Sequence, residues 1–200
     1  TYRFLKNIMG LWLVQECRRT WEHEGQVRSY DTLTAMAREA EPFTALLDPD
    51  EECFLAPGGM PARIRTYCQE TDQTIPVDEG QIIRIVLESL ALKYRYVLES
   101  IETILGRRLE SIHIVGGGIQ NRLLCQFTAS ATGRPVIAGP LEATAIGNLM
   151  LQLIGLGQLT SLAEAREVVR RSFESEIYEP ESETDWDAAY NRFRQFLPSA

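Results

Sequence analysis

Ile112-His113-Ile114-Val115-Gly116-Gly117-Gly118-Ile119-Gln120-Asn121 is the stretch on which the reading of this chain turns. Apolar, β-branched residues run into three glycines and then into Asn121, a residue type that starts helices. The pattern predicts a strand over 111–115, a tight turn at Gly116, Gly117 and Gly118, and a helix over 121–132 closed by Gly133. Glycines let the backbone turn sharply and let a ligand touch the main chain. The helix that follows offers free N–H groups and the positive end of its dipole. The spacing is neither the GxGxxG dinucleotide fingerprint nor a GxxxxGK[ST] phosphate loop. On the residues alone two readings stand: a plain strand-to-helix turn, or a backbone cradle for a flat or charged ligand.

Downstream, 135–138 reads as a second strand, and Gly139-Pro140 turns the chain into a helix over 142–156. Ala143, Ala145 and Gly147 allow close helix packing, and Glu142 suits a helix N-terminus. Ser161 and Glu164 form a capping box for a helix to 171, and Thr184 opens a last amphipathic helix. Upstream, Asp78 opens the longest helix, over 78–105, with Ile82, Val86, Leu90, Tyr94, Val97, Ile101 and Ile104 on one stripe and Gly106 as its stop. A helix over 61–70 follows a Pro/Gly-rich loop over 48–61. Asp31 is expected to cap a helix ending near Pro42.

The first residues, 1–6, read as a short strand, and Asn7 as the cap of a helix over 8–24 stopped by Gly25. Asn7, Leu11 and Gln15 then share one helix face. Their amides would suit two ends of an extended ligand, or Asn7 is a cap and Gln15 half exposed. Strands alternating with helices, helix dominating, predict an α/β fold.

With 44% hydrophobic residues among 200, the chain can build one packed domain. The net charge of −8 and the short arginine pairs Arg18-Arg19, Arg107-Arg108 and Arg170-Arg171 argue against nucleic acid as a partner. No apolar run has the length of a membrane span and no signal peptide opens the chain. The four cysteines stand far apart and only two histidines are present, so free thiols in the cytoplasm are expected rather than a zinc site. Thr1, in place of an initiator Met, reads as the start of a fragment.

Taken together and in this order, the glycine turn with Asn121, the stretch Glu142-Ala143-Thr144-Ala145-Ile146-Gly147, and the segment around Asn7 resemble the FGGY carbohydrate kinases. Leu5-Lys6-Asn7-Ile8-Met9-Gly10-Leu11-Trp12-Leu13, Ala56-Pro57-Gly58-Gly59-Met60-Pro61 and Glu88-Ser89-Leu90-Ala91-Leu92-Lys93-Tyr94 resemble the rhamnulokinase branch of that family, over residues 1–155. The resemblance implies one lobe of the actin–hexokinase (ribonuclease H-like) ATPase fold, a mixed sheet flanked by helices. Residues 1–200 would be a C-terminal, nucleotide-binding domain whose partner is the N-terminal domain of the same kinase.

The resemblance also implies ATP with Mg2+, a small sugar substrate, Gln15, Gly117 and Asn121 on ATP, and Asn7 on the sugar. The implied reaction is ATP-dependent phosphorylation of a ketose, L-rhamnulose to L-rhamnulose 1-phosphate, in rhamnose breakdown. A kinase of the same family for a different ketose or polyol, and a non-catalytic nucleotide-binding relative, stay open. The family's catalytic Asp and first phosphate loop would lie in the N-terminal domain, so this chain alone is expected to be inactive.

Overall fold

The computed structural model describes residues 4–182 and 184–198. In chain order these form α1 (Trp12–His23), α2 (Tyr30–Glu39), α3 (Met60–Glu70), α4 (Glu79–Leu105), β1 (Ile112–Ile114), α5 (Arg122–Thr132), β2 (Val136–Ala138), α6 (Ala143–Gly155), α7 (Leu162–Ser172), β3 (Glu176–Tyr178) and α8 (Trp186–Phe193). Short 3-10 turns cover Glu52–Phe54, Gly116–Gln120 and Arg194–Phe196.

α4 is the spine, packed chiefly against α2 and α5. Asp78 accepts the Gln81 N–H at 2.8 Å and Gly106 closes the helix in the left-handed region, as the sequence predicts. Every residue from Ile82 to Lys93 is buried. Buried polar groups need partners, and those of α4 find them on α4 itself, at the end of α2 and in the segment that follows it. Arg84 Nε donates to Glu88 at 2.7 Å, and its Nη1 donates to the carbonyls of Ala37, Arg38 and Ala40, which caps the C-terminal end of α2. Glu88 accepts the Phe43 N–H at 2.9 Å, Ser89 Oγ accepts the Leu47 N–H at 3.0 Å, and Lys93 Nζ lies 2.6 Å from Asp48. Burial pushes the Glu88 carboxyl up to about 7, against the pull of Arg84 and the Phe43 N–H.

Gly80 sets how closely α2 and α4 approach. A Cβ there would lie 2.7 Å from the Met36 carbonyl oxygen and 3.0 Å from its carbon.

The sheet order is β1-β2-β3, with β1 and β2 parallel and β2 and β3 antiparallel. It is therefore mixed, as expected, although β3 had no signal beyond one apolar pair in a charged stretch. α5 covers the sheet with Cys125 and Ala129 against Val136, Ala138 and Tyr178. The four cysteines are free thiols. α6 packs against α7, and its Leu149, Leu151 and the following Leu156 are exposed.

Several helix starts differ from expectation. α1 begins at Trp12 with Leu11 as its cap, not at Asn7, because residues 4–9 take no regular structure. Asn7, Leu11 and Gln15 consequently do not share a helix face. Of the strand read over 1–6, residues 1–3 lie outside the described residues and 4–6 form none. Ser29, not Asp31, caps α2, accepting the Thr32 N–H at 3.0 Å. Asp185, not Thr184, caps α8. At α7, Ser161 accepts the Glu164 N–H, but Glu164 reaches back to Thr160 rather than to Ser161, so the capping box is half formed.

Gly80→Ala is expected to destabilise the chain by about 1–3 kcal/mol, since backbone stands where the methyl would go; urea denaturation measures it. Glu88 makes stability depend on pH. Its carboxyl ionises near 4.5 when unfolded and near 7 when native, so the native state keeps the proton longer. That contribution is whole below about 4.5 and is lost as pH rises through about 7. Denaturation across this window is expected to show wild-type stability falling relative to Glu88→Gln.

Candidate functional site

β1 ends at Ile114, and the chain passes through an extended Val115 into the 3-10 turn Gly116–Gln120. The predicted tight turn is thus one short helical turn at the carboxyl end of a strand, the edge where ligands sit in open α/β sheets. Gly116 carries the positive φ, 74°, and donates its N–H to the Pro140 carbonyl at 3.2 Å. Gly117 has an ordinary φ, and a Cβ added to it would meet nothing within 4 Å. Its bare backbone faces open space, not a packed neighbour. Asn121 Oδ1 accepts the Leu124 N–H at 2.9 Å and so caps α5.

The turn borders a cleft of about 1430 Å³. Gly117, Gly118, Gln120 and Asn121 line it from the turn, and Gln15, Arg18, Tyr30 and Asp31 from α1 and the start of α2. Tyr94, Val97 and Ile101, the half-buried continuation of the α4 stripe, give it an apolar lining. Arg18 lies 4.8 Å over the Tyr30 ring and is oriented by donating Nε to the Arg28 carbonyl at 2.9 Å. Burial pushes the Tyr94 hydroxyl up to about 12, so it is a neutral phenol. A pocket with an apolar lining, a few polar groups and exposed main chain suits a flat heterocycle bearing polar substituents.

Gln15 stands more than a hundred residues from Gly117 and Asn121 in sequence, and the three meet in this one cleft. Asn7 is exposed and does not line it, whereas Ile8 and Leu11 do. Glu142 precedes α6 without a capping bond; it sits beside the turn through Pro140 and Leu141 but does not line the cleft. Sequence reasoning missed Arg18, Tyr30 and Asp31, because no local pattern ties α2 to a turn some ninety residues later. Among the described residues no three His, Cys, Asp or Glu side chains gather to hold a metal ion, and no helix is long and apolar enough to cross a membrane.

Residues 1–156 match the C-terminal domain of the FGGY family of carbohydrate kinases. The chain belongs to that family. Among FGGY relatives, it is 46% identical over 194 residues to a rhamnulokinase of Bacteroides thetaiotaomicron, covering 97% of this chain and 39% of that protein. Rhamnulokinases of Enterococcus faecalis and Bacillus subtilis are 42% and 37% identical, over 90% and 100% of this chain and 36% and 40% of theirs. The chain thus spans about two fifths of the length of these curated relatives.

Two solved FGGY-type neighbours give the fold. A xylulose kinase from Rhodospirillum rubrum matches with a TM-score of 0.62 at 21% identity, over 93% of this chain and 37% of that one. A Plasmodium falciparum glycerol kinase solved with ADP matches with a TM-score of 0.60 at 15% identity, over 92% and 35%. The architecture is one lobe of the actin–hexokinase fold.

Asn121→Ala is expected to cost about 1 kcal/mol of stability by removing the α5 cap, and Asn121→Asp, which keeps an acceptor, less. Thermal or urea denaturation of both variants checks it.

Proposed function

We propose that this chain is the nucleotide-binding part of an ATP-dependent ketose kinase whose sugar is L-rhamnulose, phosphorylated at its 1-hydroxyl. The observation that carries the reading is the cleft that joins Gln15, Gly117 and Asn121. The names of the relatives, at 37–46% identity over nearly the whole chain, support rhamnulose as the sugar.

In this reading adenosine lies against the bare backbone of Gly117. Asn121 Nδ2 is free to donate to it, since Oδ1 is committed to the cap. Gln15 offers an amide from the opposite wall. Asn7, in the segment that leads into the cleft, would contact the sugar. Mg2+ would arrive with ATP and supply neutralisation of phosphate charge; among the described residues of this chain no three His, Cys, Asp or Glu side chains gather to hold it, so its ligands would come from the nucleotide and the N-terminal domain. The sugar hydroxyl oxygen forms a bond to the γ-phosphorus as the bond to the ADP oxygen breaks. By family resemblance the released proton passes to a carboxylate of the N-terminal domain. This chain's contribution is binding and orientation, which turn an encounter into a positioned transfer.

Steady-state kinetics on the full-length enzyme test the reading. Gly117→Leu is expected to fold, because its φ is ordinary and nothing lies within 4 Å of the new Cβ. Its KM for ATP should rise by about tenfold or more, with the ketose KM within about twofold. A folded Gly117→Leu enzyme with an unchanged ATP constant overturns the adenosine assignment. A wild type that phosphorylates polyols or other ketoses but not rhamnulose overturns the choice of sugar.

A further inference from the structure

The loop between α2 and α3 holds a buried cluster of charge that the cleft does not use. Lys93 is 4% exposed on α4, and its Nζ stands 2.6 Å from Asp48 Oδ1 and 3.2 Å from Asp50 Oδ2. Asp48 Oδ1 also accepts the Asp50 N–H at 3.0 Å, which fixes the direction in which Asp50 leaves the loop. Asp50 then reaches the start of the chain. Its Oδ1 accepts the Met9 N–H at 2.9 Å, and its Oδ2 lies 3.8 Å from Lys6 Nζ. Those two contacts bracket Asn7 and Ile8. The buried Lys93 ammonium is balanced by Asp48 and Asp50, and Lys6 meets Asp50 from the exposed side.

The same loop grips α1 further on. Trp12 Nε1 donates to the Phe54 carbonyl at 3.3 Å. Glu16, fully buried and next in sequence to Gln15, accepts the Gly58 N–H at 2.8 Å and pairs with Arg19 at 3.0 Å. The stretch from Lys6 to Glu16 is therefore laid along a template, at Met9, Trp12 and Glu16. Residues 4–9 have no secondary structure of their own. The Met9 and Lys6 contacts to Asp50 are the polar ties described for them.

We propose that Asp50, oriented by Asp48 and charge-balanced by Lys93, is a positioning residue that sets the backbone around Asn7 for the sugar. It touches neither substrate and acts through Met9 and Lys6. The inference rests on the kinase reading for its consequence, but the clamp can be read without turnover.

The test uses the full-length protein and three variants. Asp50→Ala is expected to raise the ketose KM by about tenfold or more, leave the ATP KM within about twofold, and leave Asn121-side chemistry untouched. Asp50→Asn keeps an acceptor for the Met9 N–H and should bring the ketose KM back to within about threefold of wild type. Should Asp50→Ala fail to fold, Asp50→Glu, which keeps the charge but displaces it, takes its place with the same expected split. Hydrogen exchange reads the clamp directly. In Asp50→Ala the Met9 amide should exchange about tenfold faster or more, while the Leu47 amide, bonded to Ser89, keeps its protection.

Equal changes in both KM values, no change in either, or an Asn variant no better than Ala overturns the proposal. If the wild type phosphorylates no ketose, the proposed function fails by itself, and exchange then decides the clamp: an unchanged Met9 amide refutes it and a released one upholds it.

Discussion

Between Ile82 and Lys93 no face of α4 reaches solvent, yet the stretch contains Arg84, Glu88, Ser89 and Lys93. A buried helix satisfies its own backbone but not its polar side chains. Here they form two four-apart pairs, Arg84 with Glu88 and Ser89 with Lys93, each pair on its own face of the helix, and residues 37–48 reach both faces. Each binds backbone or a carboxylate of residues 37–48. The segment after α2 has little regular structure, and without these ties it would have to place its main-chain donors and acceptors in apolar surroundings at a cost of a few kcal/mol. The seam also fixes α2, because Arg84 closes its C-terminal carbonyls.

From that seam the functional geometry follows in two directions. At the far end Lys93 orders the loop that lies under α1, so the wall carrying Gln15 is referenced to α4. On the other side, α5 packs along α4 and carries the glycine turn at its start. Both walls of the cleft are thus hung on one rigid rod, whose own half-buried Tyr94, Val97 and Ile101 line the space between them. A cleft built from segments remote in sequence keeps its width because its parts share a support.

The long helix was legible from Asp78, the 3.6-residue stripe and Gly106, since all three signals are local and agree. So were both strands around the glycine turn, and the turn itself, whose Gly117 and Asn121 line the cleft. Asn7 misled as a cap: its residue type favours that position, but Lys6 and Met9 are pulled by Asp50, a residue more than forty positions away. Propensity yields where a tertiary contact fixes the backbone. β3 escaped notice because a three-residue strand with Glu176 and Ile177 exposed carries no alternation. The polar seam had a signal, since Arg84 and Glu88 stand four apart within an apolar run, but periodicity counts apolar positions and passes over what interrupts them.

Among the described residues β1 forms one margin of the sheet, and elsewhere α6 leaves Leu149 and Leu151 exposed. A strand at a margin offers unpaired main-chain groups, and exposed leucines offer area that water hydrates poorly. Neither feature belongs to the core that gives the chain its shape. Self-association through such surfaces would leave the tightly packed rod beneath them unchanged.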